Sequence, residues 1–325
     1  MKATQAILRT TGGPEVIEWN EVELGAPGPG QALVEQRVVG VNFIDVYHRT
    51  GAYSAPLPAG LGLEAAGQVI AVGEGVSEVA PGDRVATFGP ERGAYSTARL
   101  VSAASLIKLP DDVDDDTAAA IMLKGCTTEY LVERCARVQP GDDVLVHAAA
   151  GGVGQYLVQW LTAIGARVIA HVGSEAKAGL VRDLGAAEVL TVPFEQLADQ
   201  VRSLTDGTGV RAAFDGVGKA SWEASLKSTA RRGLIASFGS ASGPVEGVAL
   251  GTLAQHGSLF VTRPTLFDYY ATPDNRTAGV ARLFAMIRAG KLKSAIGRRY
   301  PLTDAAQAHR DLEARNTTGA TLLMP

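Results

Sequence analysis

An apolar segment followed at once by a glycine-rich loop is the feature that most limits how this chain can fold. Residues 143–148 have the composition of a buried strand, residues 149–154 form the loop, and helix-forming residues follow. A second apolar strand over residues 167–172 completes a segment of about 30 residues, the length of a strand–helix–strand unit that binds a dinucleotide. The pattern therefore predicts a parallel sheet with a nucleotide site at this loop.

The loop differs from the usual GxGxxG pattern because Ala149 occupies the first glycine position. Gly151 lets the backbone approach a pyrophosphate, and the helix that begins near Val153 directs its first amide groups at the negative charge. Gly154 lets the helix pack closely on the strand. We therefore expect a dinucleotide at this loop in spite of the alanine.

The end of the second strand distinguishes the two nicotinamide dinucleotides. NAD sites usually place an Asp or Glu there, which binds the ribose hydroxyls. Here the strand runs into Gly173 and Ser174, and Lys177 follows one turn later, with no acid at the strand end. A hydroxyl and a cation suit the 2′-phosphate of NADP, which a carboxylate would repel. The sequence favours NADP(H) as the cofactor.

The chain has the length of two domains and the composition of a globular protein. It contains 325 residues, of which 46% are hydrophobic and 20% charged. Up to about residue 110, short β segments alternate with turn residues, which predicts a β-rich barrel or sandwich. From residue 143 onward, apolar strands alternate with helices, which predicts a parallel sheet covered on both faces. The last strands resemble the amino-terminal part, so we expect the chain to return to the first domain.

Charge, cysteine content and hydropathy argue against several classes of protein. The formal net charge is −4 and the longest basic runs are pairs of arginines, which disfavours nucleic-acid binding. Cys126 and Cys135 are too few for a disulfide framework and indicate a reducing compartment. The first residues lack the apolar run of a signal peptide, and no apolar run is long enough to cross a membrane. We expect a cytoplasmic protein.

The sequence resembles the zeta-crystallin group of quinone oxidoreductases, within the medium-chain dehydrogenase/reductase superfamily. The resemblance runs nearly end to end and rests on ordered segments at 12–16, 41–45, 62–67, 124–125, 147–154, 215–218, 232–234 and 261–264. It implies an α/β fold with a GroES-like, partly closed β-barrel as the catalytic domain and an inserted Rossmann domain with a doubly wound parallel sheet. The implied boundaries are 1–124 and 266–325 for the catalytic domain and 125–265 for the NADP-binding domain.

The resemblance also implies which residues bind NADPH and the substrate. Asn42 and Tyr47 are placed beside the nicotinamide, and with Tyr53 they are the candidate catalytic residues, as hydrogen-bond donors to the reduced acceptor. The implied cofactor contacts are Asn42, Thr127, Tyr130, Gly152, Val153, Gly173, Ser174, Lys177, Phe238, Gly239, Ser240, Val261, Thr262, Arg263 and Arg315, in addition to Gly151 of the loop. Two positions depart from the family. Val192 replaces a tyrosine that packs on the adenosine end, and Leu63 replaces a small polar residue of the substrate cleft.

The chain also lacks the ligands of the zinc-dependent alcohol dehydrogenases in the same superfamily. Asn42 and Leu63 stand where those enzymes carry a cysteine and a histidine. Without zinc to polarise an alcohol, hydride transfer needs an electron-poor acceptor such as a quinone or a conjugated enone. We expect a zinc-independent NADPH-dependent quinone reductase. An enone or alkenal double-bond reductase and a non-catalytic, crystallin-like NADPH-binding protein remain alternatives.

Three structural expectations complete the sequence-based picture. Residues 257–262 resemble the edge strand through which family members pair their Rossmann sheets, so we expect a homodimer. Glu64 is expected to be a buried partner of a backbone or arginine group. His147 is expected to be a hydrogen-bonded core histidine rather than a catalyst.

Overall fold

The computed structural model describes all 325 residues, Met1–Pro325. They form two compact units, of which the first comprises Met1–Leu123 and Ser294–Pro325, and the second comprises Lys124–Lys293. Each unit has its own sheet and core. No helix in either unit is both long enough and apolar enough to span a lipid bilayer.

The first unit is mostly antiparallel β structure, in agreement with its turn-rich sequence. Its first eight strands are β1 (Lys2–Leu8), β2 (Ile17–Glu23), β3 (Gln31–Val41), β4 (Ala59–Gly60), β5 (Glu64–Val72), β6 (Arg84–Phe88), β7 (Ala98–Ser102) and β8 (Ile107–Lys108). Strand β3 is central because it pairs antiparallel with both β5 and β7. Strands β2, β1 and β4 form a separate three-stranded sheet.

Two helices follow strands of this unit. Helix α1 (Phe43–Thr50) comes directly after β3, and the Asp45 carboxylate accepts a hydrogen bond from the backbone N–H of Asn42 at 2.9 Å, which closes the helix start. Helix α2 (Asp115–Glu129) begins after Asp114, whose side chain accepts from the backbone N–H of Thr117 at 2.6 Å. The boundary between the units falls inside α2, which continues into a π-helix over Tyr130–Ala136.

The second unit is a doubly wound parallel sheet, so the predicted fold class is confirmed. Its strands are β9 (Asp143–Val146), β10 (Arg167–His171), β11 (Glu188–Leu190), β12 (Val210–Asp215), β13 (Thr229–Ser237) and β14 (Phe260–Thr262). Its helices are α3 (Gly152–Ala163), α4 (Glu175–Asp183), α5 (Phe194–Leu204), α6 (Trp222–Ser228), α7 (Leu250–Gln255), α8 (Leu266–Tyr269) and α9 (Pro273–Arg288). The strand order β11-β10-β9-β12-β13-β14 reverses direction between β9 and β12, where such sheets bind ligands at their carboxyl ends.

Residues 266–293 belong to the second unit, whereas the sequence predicts a return to the first domain at residue 266. The difference has a physical cause in polar contacts made by α8, α9 and the residues between them. The Tyr270 hydroxyl donates to Oε2 of Glu129 at 2.8 Å, and Arg282 pairs with Glu133 at 2.7 Å. These contacts hold α8 and α9 against the end of α2 and the π-helix, so the chain leaves the second unit only after Lys293.

The last segment completes the sheet of the first unit. It contains β15 (Ile296–Pro301), α10 (Ala305–Glu313) and β16 (Ala320–Met324). Strand β16 pairs antiparallel with β3 and parallel with β15. The result is a seven-stranded sheet in the order β15-β16-β3-β5-β6-β8, with β7 also on β3.

Candidate functional site

Helix α3 begins in the glycine loop without a side-chain cap. Gly151 is its N-cap residue, and no side chain accepts a hydrogen bond at this end. The first N–H groups of a helix have no partner inside the helix, and the helix dipole adds partial positive charge at the same place. The start of α3 at Gly152 and Val153 therefore suits an anion, as the sequence predicts.

The loop between β9 and α3 requires a residue without a side chain at Gly154. A Cβ on Gly154 would lie 2.8 Å from Cα of Ala149 and closer still to the carbonyl oxygen of Ala148, so only glycine lets α3 start this near the loop. Ala148 adopts a left-handed backbone with φ of 48°, which is unusual for a residue other than glycine. Ala148 and Gly151 are exposed in this loop, whereas Ala149 and Ala150 are buried.

Lys124 is a neighbour of this loop that the sequence-based site omits. Its side chain is buried, and its Cε would lie 3.2 Å from a Cβ on Gly152. A lysine side chain beside the positive end of a helix favours an anion between them, because the two positive charges repel each other. The sequence could have indicated Lys124 as a site residue, because the segment 124–125 is one of those that carry the family resemblance.

The end of β10 provides a second polar position. Gly173 and Ser174 are exposed, and Ser174 is the N-cap residue of α4 but makes no side-chain cap hydrogen bond. Lys177 is half-buried in the first turn of α4. The nearest acid, Glu175, pairs with Arg182 at 3.1 Å on the outer face of the helix. The residues present fit a phosphate group better than a ribose diol.

The loops after β12, β13 and β14 lie at the same edge of the sheet. Phe238, Gly239 and Ser240 follow β13 directly, and a Cβ on Gly239 would lie 2.8 Å from Cα of Gly216 after β12. These two loops therefore pack backbone against backbone. Thr262 ends β14, and the exposed Arg263 donates from Nη1 to the carbonyl of Ser237 at 3.0 Å. Val261 lies within β14 and is exposed.

A buried carboxylate holds the loop after β12. Oδ1 of Asp215 accepts from the backbone N–H groups of Val217 and Gly218 at 2.9 and 3.0 Å, and Oδ2 accepts from the Ser225 hydroxyl at 2.7 Å. Burial raises the pKa of Asp215, but His147 and the hydrogen bonds from Ser225, Gly218 and Ser221 lower it below its usual value. The sequence-based site did not include this aspartate, although residues 215–218 are one of the matched segments.

His147 is a core histidine, as the sequence predicts. It is 1% exposed, and its Nε2 lies 3.0 Å from the Ser225 hydroxyl. Burial lowers the pKa of His147 to about 4 in spite of the opposing charge of Asp215, and His171 contributes to the lowering, so the ring is neutral at neutral pH. It supports the end of β9 without offering a proton to a ligand.

Thr127 and Tyr130 lie at the junction of α2 and the π-helix. Both are buried, and the Tyr130 ring stacks on Tyr269 with 4.6 Å between the ring centroids. The Tyr130 hydroxyl donates to the carbonyl of Pro264 at 3.4 Å, which places it near the end of β14. π-Helices occur preferentially at functional sites, and this one is adjacent to the carboxyl edge of the sheet.

The three candidate catalytic residues all lie on or next to α1 in the first unit. Asn42 is the N-cap residue, Tyr47 lies within the helix, and Tyr53 follows it. The rings of Tyr47 and Tyr53 are in contact, with centroids 4.9 Å apart, and Phe43 contacts Tyr47 from the other side at 5.3 Å. Arg315, the remaining predicted residue of the first unit, is exposed just after α10.

Glu64 is the buried partner of Asn42. Nδ2 of Asn42 donates to Oε2 of Glu64 at 2.8 Å, and Oε1 of Glu64 accepts from the backbone N–H of Leu123 at 2.7 Å. The expectation of a buried structural carboxylate is confirmed, with an amide and a backbone group as its partners. The sequence showed the presence of both residues but not their contact, because 22 residues separate them.

The residues at the positions of zinc ligands do not fit a zinc ion. The amide of Asn42 is hydrogen bonded to Glu64, and Leu63 offers only a buried apolar side chain. Zinc needs thiolate, imidazole or carboxylate ligands that converge on one point. No group of three or more His, Cys, Asp or Glu side chains in the structure could hold a metal ion.

Comparisons with known proteins agree over nearly the full chain. Residues 28–111 match the family described as the alcohol dehydrogenase GroES-like domain, and residues 152–283 match the family described as zinc-binding dehydrogenase. A quinone oxidoreductase of Pseudomonas aeruginosa is 48% identical over 97% of each chain. The crystal structure of Escherichia coli quinone oxidoreductase complexed with NADPH is 42% identical, with a TM-score of 0.96 over 99% of this chain and 100% of that chain. A 2-haloacrylate reductase of Burkholderia sp is 41% identical over 98% of each chain.

Proposed function

Because the chain belongs to the quinone oxidoreductases of the medium-chain dehydrogenase/reductase superfamily, we propose that it is an NADPH-dependent quinone reductase that works without zinc. The observation that carries this proposal is the uncapped start of α3 at Gly151 and Gly152, combined with a strand end that bears Ser174 and Lys177. The first unit is then the catalytic domain and the second is the NADP-binding domain.

The pyrophosphate of NADPH would bind at Gly151, Gly152 and Val153. Two arguments support this: no side chain caps the first N–H groups of α3, and Gly151 is exposed and carries no side chain. Lys124 would add a positive charge on the other side of Gly152. Four residues would bind the adenosine 2′-phosphate: Gly173, Ser174, Lys177 and Arg315.

The resemblance provides the proposed neighbours of the nicotinamide, and these residues come from both units. Its proposed neighbours in the second unit are Thr127, Tyr130, Phe238, Gly239, Ser240, Val261, Thr262 and Arg263. Asn42 and Tyr47 are its proposed neighbours in the first unit, and Tyr53 would contact the substrate. Support comes from their positions, since those of the second unit border the carboxyl edge of the sheet and those of the first unit surround the start and end of α1.

The acceptor must be electron-poor because no zinc ion polarises it. Bound NADPH supplies a hydride, and one added proton then completes the reduction of a quinone to a hydroquinone. The rings of Tyr47 and Tyr53 are in contact, and the hydroxyl group of either residue can donate a hydrogen bond to the reduced oxygen. Solvent can supply the remaining proton.

Steady-state NADPH oxidation tests the proposed function. The assay compares 1,4-naphthoquinone with a 2-alkenal at equal enzyme concentration, and follows the absorbance of NADPH. We expect a higher kcat/KM for the quinone. A large preference for the alkenal would identify a double-bond reductase instead, and tight NADPH binding without turnover of either acceptor would identify a non-catalytic binding protein.

We also propose that two copies of the chain pair through β14. This strand is the last in the sheet, so one of its edges has no partner within the unit. Phe260 is 63% exposed in it, and Leu250 of α7 is 82% exposed. Burial of such side chains between two copies is favourable. Light scattering should give twice the chain mass of 33.8 kDa, and Phe260→Asp should give a monomer, whereas Ile70→Asp, at an exposed apolar position of the first unit, should not.

The cytoplasm is the proposed location of the protein. Its two cysteines, Cys126 and Cys135, form no disulfide bond, which suits a reducing compartment. Fractionation of cells that express the chain would test this, and recovery from the periplasm or the medium would contradict it.

A further inference from the structure

A chain of hydrogen bonds, buried except at Glu313, links α10 to α1 within the first unit. The guanidinium of Arg49 forms a two-pronged ion pair with Glu313, at 2.7 and 2.8 Å. Nη1 of Arg49 also lies 3.3 Å from Nδ1 of His309, and Nε2 of His309 lies 3.0 Å from the Tyr95 hydroxyl. His309 and Tyr95 are completely buried. None of these four residues belongs to the candidate site.

The chain continues to Asn42, which does belong to the candidate site. The Tyr95 hydroxyl donates to Oδ2 of Asp45 at 3.1 Å, and the same oxygen accepts from the backbone N–H of Asn42 at 2.9 Å. Nδ2 of Asn42 donates to Glu64 at 2.8 Å and more weakly to the carbonyl of Gly40 at 3.5 Å. The backbone of Asn42 is therefore held by the Asp45 carboxylate, and its side chain by Glu64 and by the backbone N–H of Asp45.

Each hydrogen bond in this chain has a defined direction. Arginine can only donate, so Nδ1 of His309 accepts and the ring proton lies on Nε2, which donates to Tyr95. Burial and then the charge of Arg49 lower the pKa of His309 to about 3, so the ring is neutral. Burial and then Asp45 raise the pKa of Tyr95 well above its usual value, so its hydroxyl keeps the proton that it donates. The network consequently has one arrangement.

The same reasoning fixes the orientation of the Asn42 amide. A carboxylate only accepts, so the NH2 group of Asn42 faces Glu64. Its two hydrogens go to Glu64 and Gly40, so only the amide oxygen Oδ1 can accept a hydrogen bond from a ligand. One lone pair of Oδ1 takes the backbone N–H of Asp45 in the capping box, and the second lone pair remains for a ligand. An acceptor suits a hydroxyl or amide N–H of the nicotinamide half of NADPH, and it cannot donate to the oxyanion that hydride transfer forms on a quinone. This differs from the donor role that the sequence predicts for Asn42.

We propose that Asp45 and Tyr95 are positioning residues, which hold Asn42 so that its amide oxygen accepts a hydrogen bond from NADPH. The inference rests on the proposed function, because it requires NADPH beside Asn42. Tyr95 acts through Asp45, and Asp45 acts through the backbone of Asn42. Loss of the Tyr95 hydroxyl should therefore weaken NADPH binding only as long as the Asn42 amide is present.

A double-mutant cycle on NADPH affinity tests this proposal. Calorimetry gives the Kd for Tyr95→Phe, for Asn42→Ala and for the double variant. We expect each single change to raise the Kd by about tenfold, the scale of one hydrogen bond, and the double variant to match Asn42→Ala alone. Asp45→Asn keeps an acceptor and should lose less affinity than Asp45→Ala. Tyr300→Phe is the matched control, since it removes a tyrosine hydroxyl that donates to Asp311 outside this chain, and it should leave the Kd unchanged.

Other results would overturn the proposal in distinguishable ways. A lower melting temperature for Tyr95→Phe with an unchanged Kd would show a role in stability alone. Effects of Tyr95→Phe and Asn42→Ala that multiply to about a hundredfold would show that the two residues act independently. An unchanged Kd for Asn42→Ala would refute the placement of NADPH at this residue, while quinone reduction by the parent chain would leave the proposed function intact. Failure of the parent chain to bind NADPH would refute the proposed function and this inference with it.

Discussion

Replacement of His309 by glutamine should make the first unit less sensitive to acid. The pKa of His309 falls from 6.5 to about 3 on folding, because the ring is buried and faces Arg49. Between these two values the unfolded chain binds a proton that the folded chain does not bind. The titration of His309 therefore takes nothing from the free energy of unfolding above the unfolded pKa. The free energy of unfolding then falls as the pH drops from about 6.5 toward 3. Glutamine offers an acceptor and a donor in a similar place but does not titrate.

The expected size of this effect follows from proton linkage. The pKa of His309 is 6.5 in the unfolded chain and about 3 in the folded chain. Its titration should therefore lower the free energy of unfolding by about 2 kcal/mol when the pH falls from 7 to 5. Urea unfolding, followed by circular dichroism at several pH values, gives the difference in unfolding free energy between the parent and His309→Gln. This difference should shift by about 2 kcal/mol in favour of the variant over that range.

A variant on the same helix controls for nonspecific effects of substitution. Gln307 is exposed on α10 and is outside the buried chain, so the difference between the parent and Gln307→Ala should stay the same at pH 7 and pH 5. Parallel pH profiles for the parent and His309→Gln would refute the reasoning. They would mean that His309 keeps an ordinary pKa in the folded protein and is not held as a neutral ring between Arg49 and Tyr95.

Three further predictions concern the cofactor site. Gly154→Ala should weaken NADPH binding by at least about tenfold and lower the melting temperature, because the new Cβ meets the backbone of Ala149. Calorimetry measures the Kd and thermal unfolding the melting temperature. An unchanged Kd would contradict the close approach of α3 to the loop. Lys177→Glu should raise the Kd for NADPH by about tenfold or more and leave that for NADH within about twofold, since only NADPH carries the 2′-phosphate; equal losses for both would contradict this contact. Dialysis against a chelator should leave the quinone reductase rate unchanged, and a loss that zinc restores would contradict the assignment of Asn42 and Leu63 as residues that bind no metal.

The dinucleotide-binding unit could be predicted from sequence because its signals are local. Strand, loop and helix are consecutive, and the departure at Ala149 does not prevent α3 from starting at Gly152. Strand β13 begins at Thr229, five residues before the apolar residues that start at Leu234. The polar Arg231 and Arg232 interrupt the apolar pattern there, and both are exposed in the structure. Backbone pairing with β12 extends the strand without an apolar signal.

The parts of the site that depend on distant contacts could not be predicted. Nothing in local spacing shows that Glu64 holds the Asn42 amide. Nor does it show that Tyr95 contacts His309, which lies 214 residues after Tyr95 in the sequence. The π-helix over Tyr130–Ala136 has a composition compatible with an α-helix, so its different hydrogen bonding leaves no pattern in the sequence. The place where the chain leaves the second unit depends on contacts such as Arg282 with Glu133.

Calorimetric titration of the intact chain with NADPH, and separately with NADH, tests the central claim most directly. The uncapped start of α3 and the phosphate-compatible end of β10 predict one NADPH per chain, bound at least about tenfold more tightly than NADH. The bound NADPH should then be oxidised when 1,4-naphthoquinone is added. Absence of heat with both nucleotides, or a preference for NADH, would contradict the account.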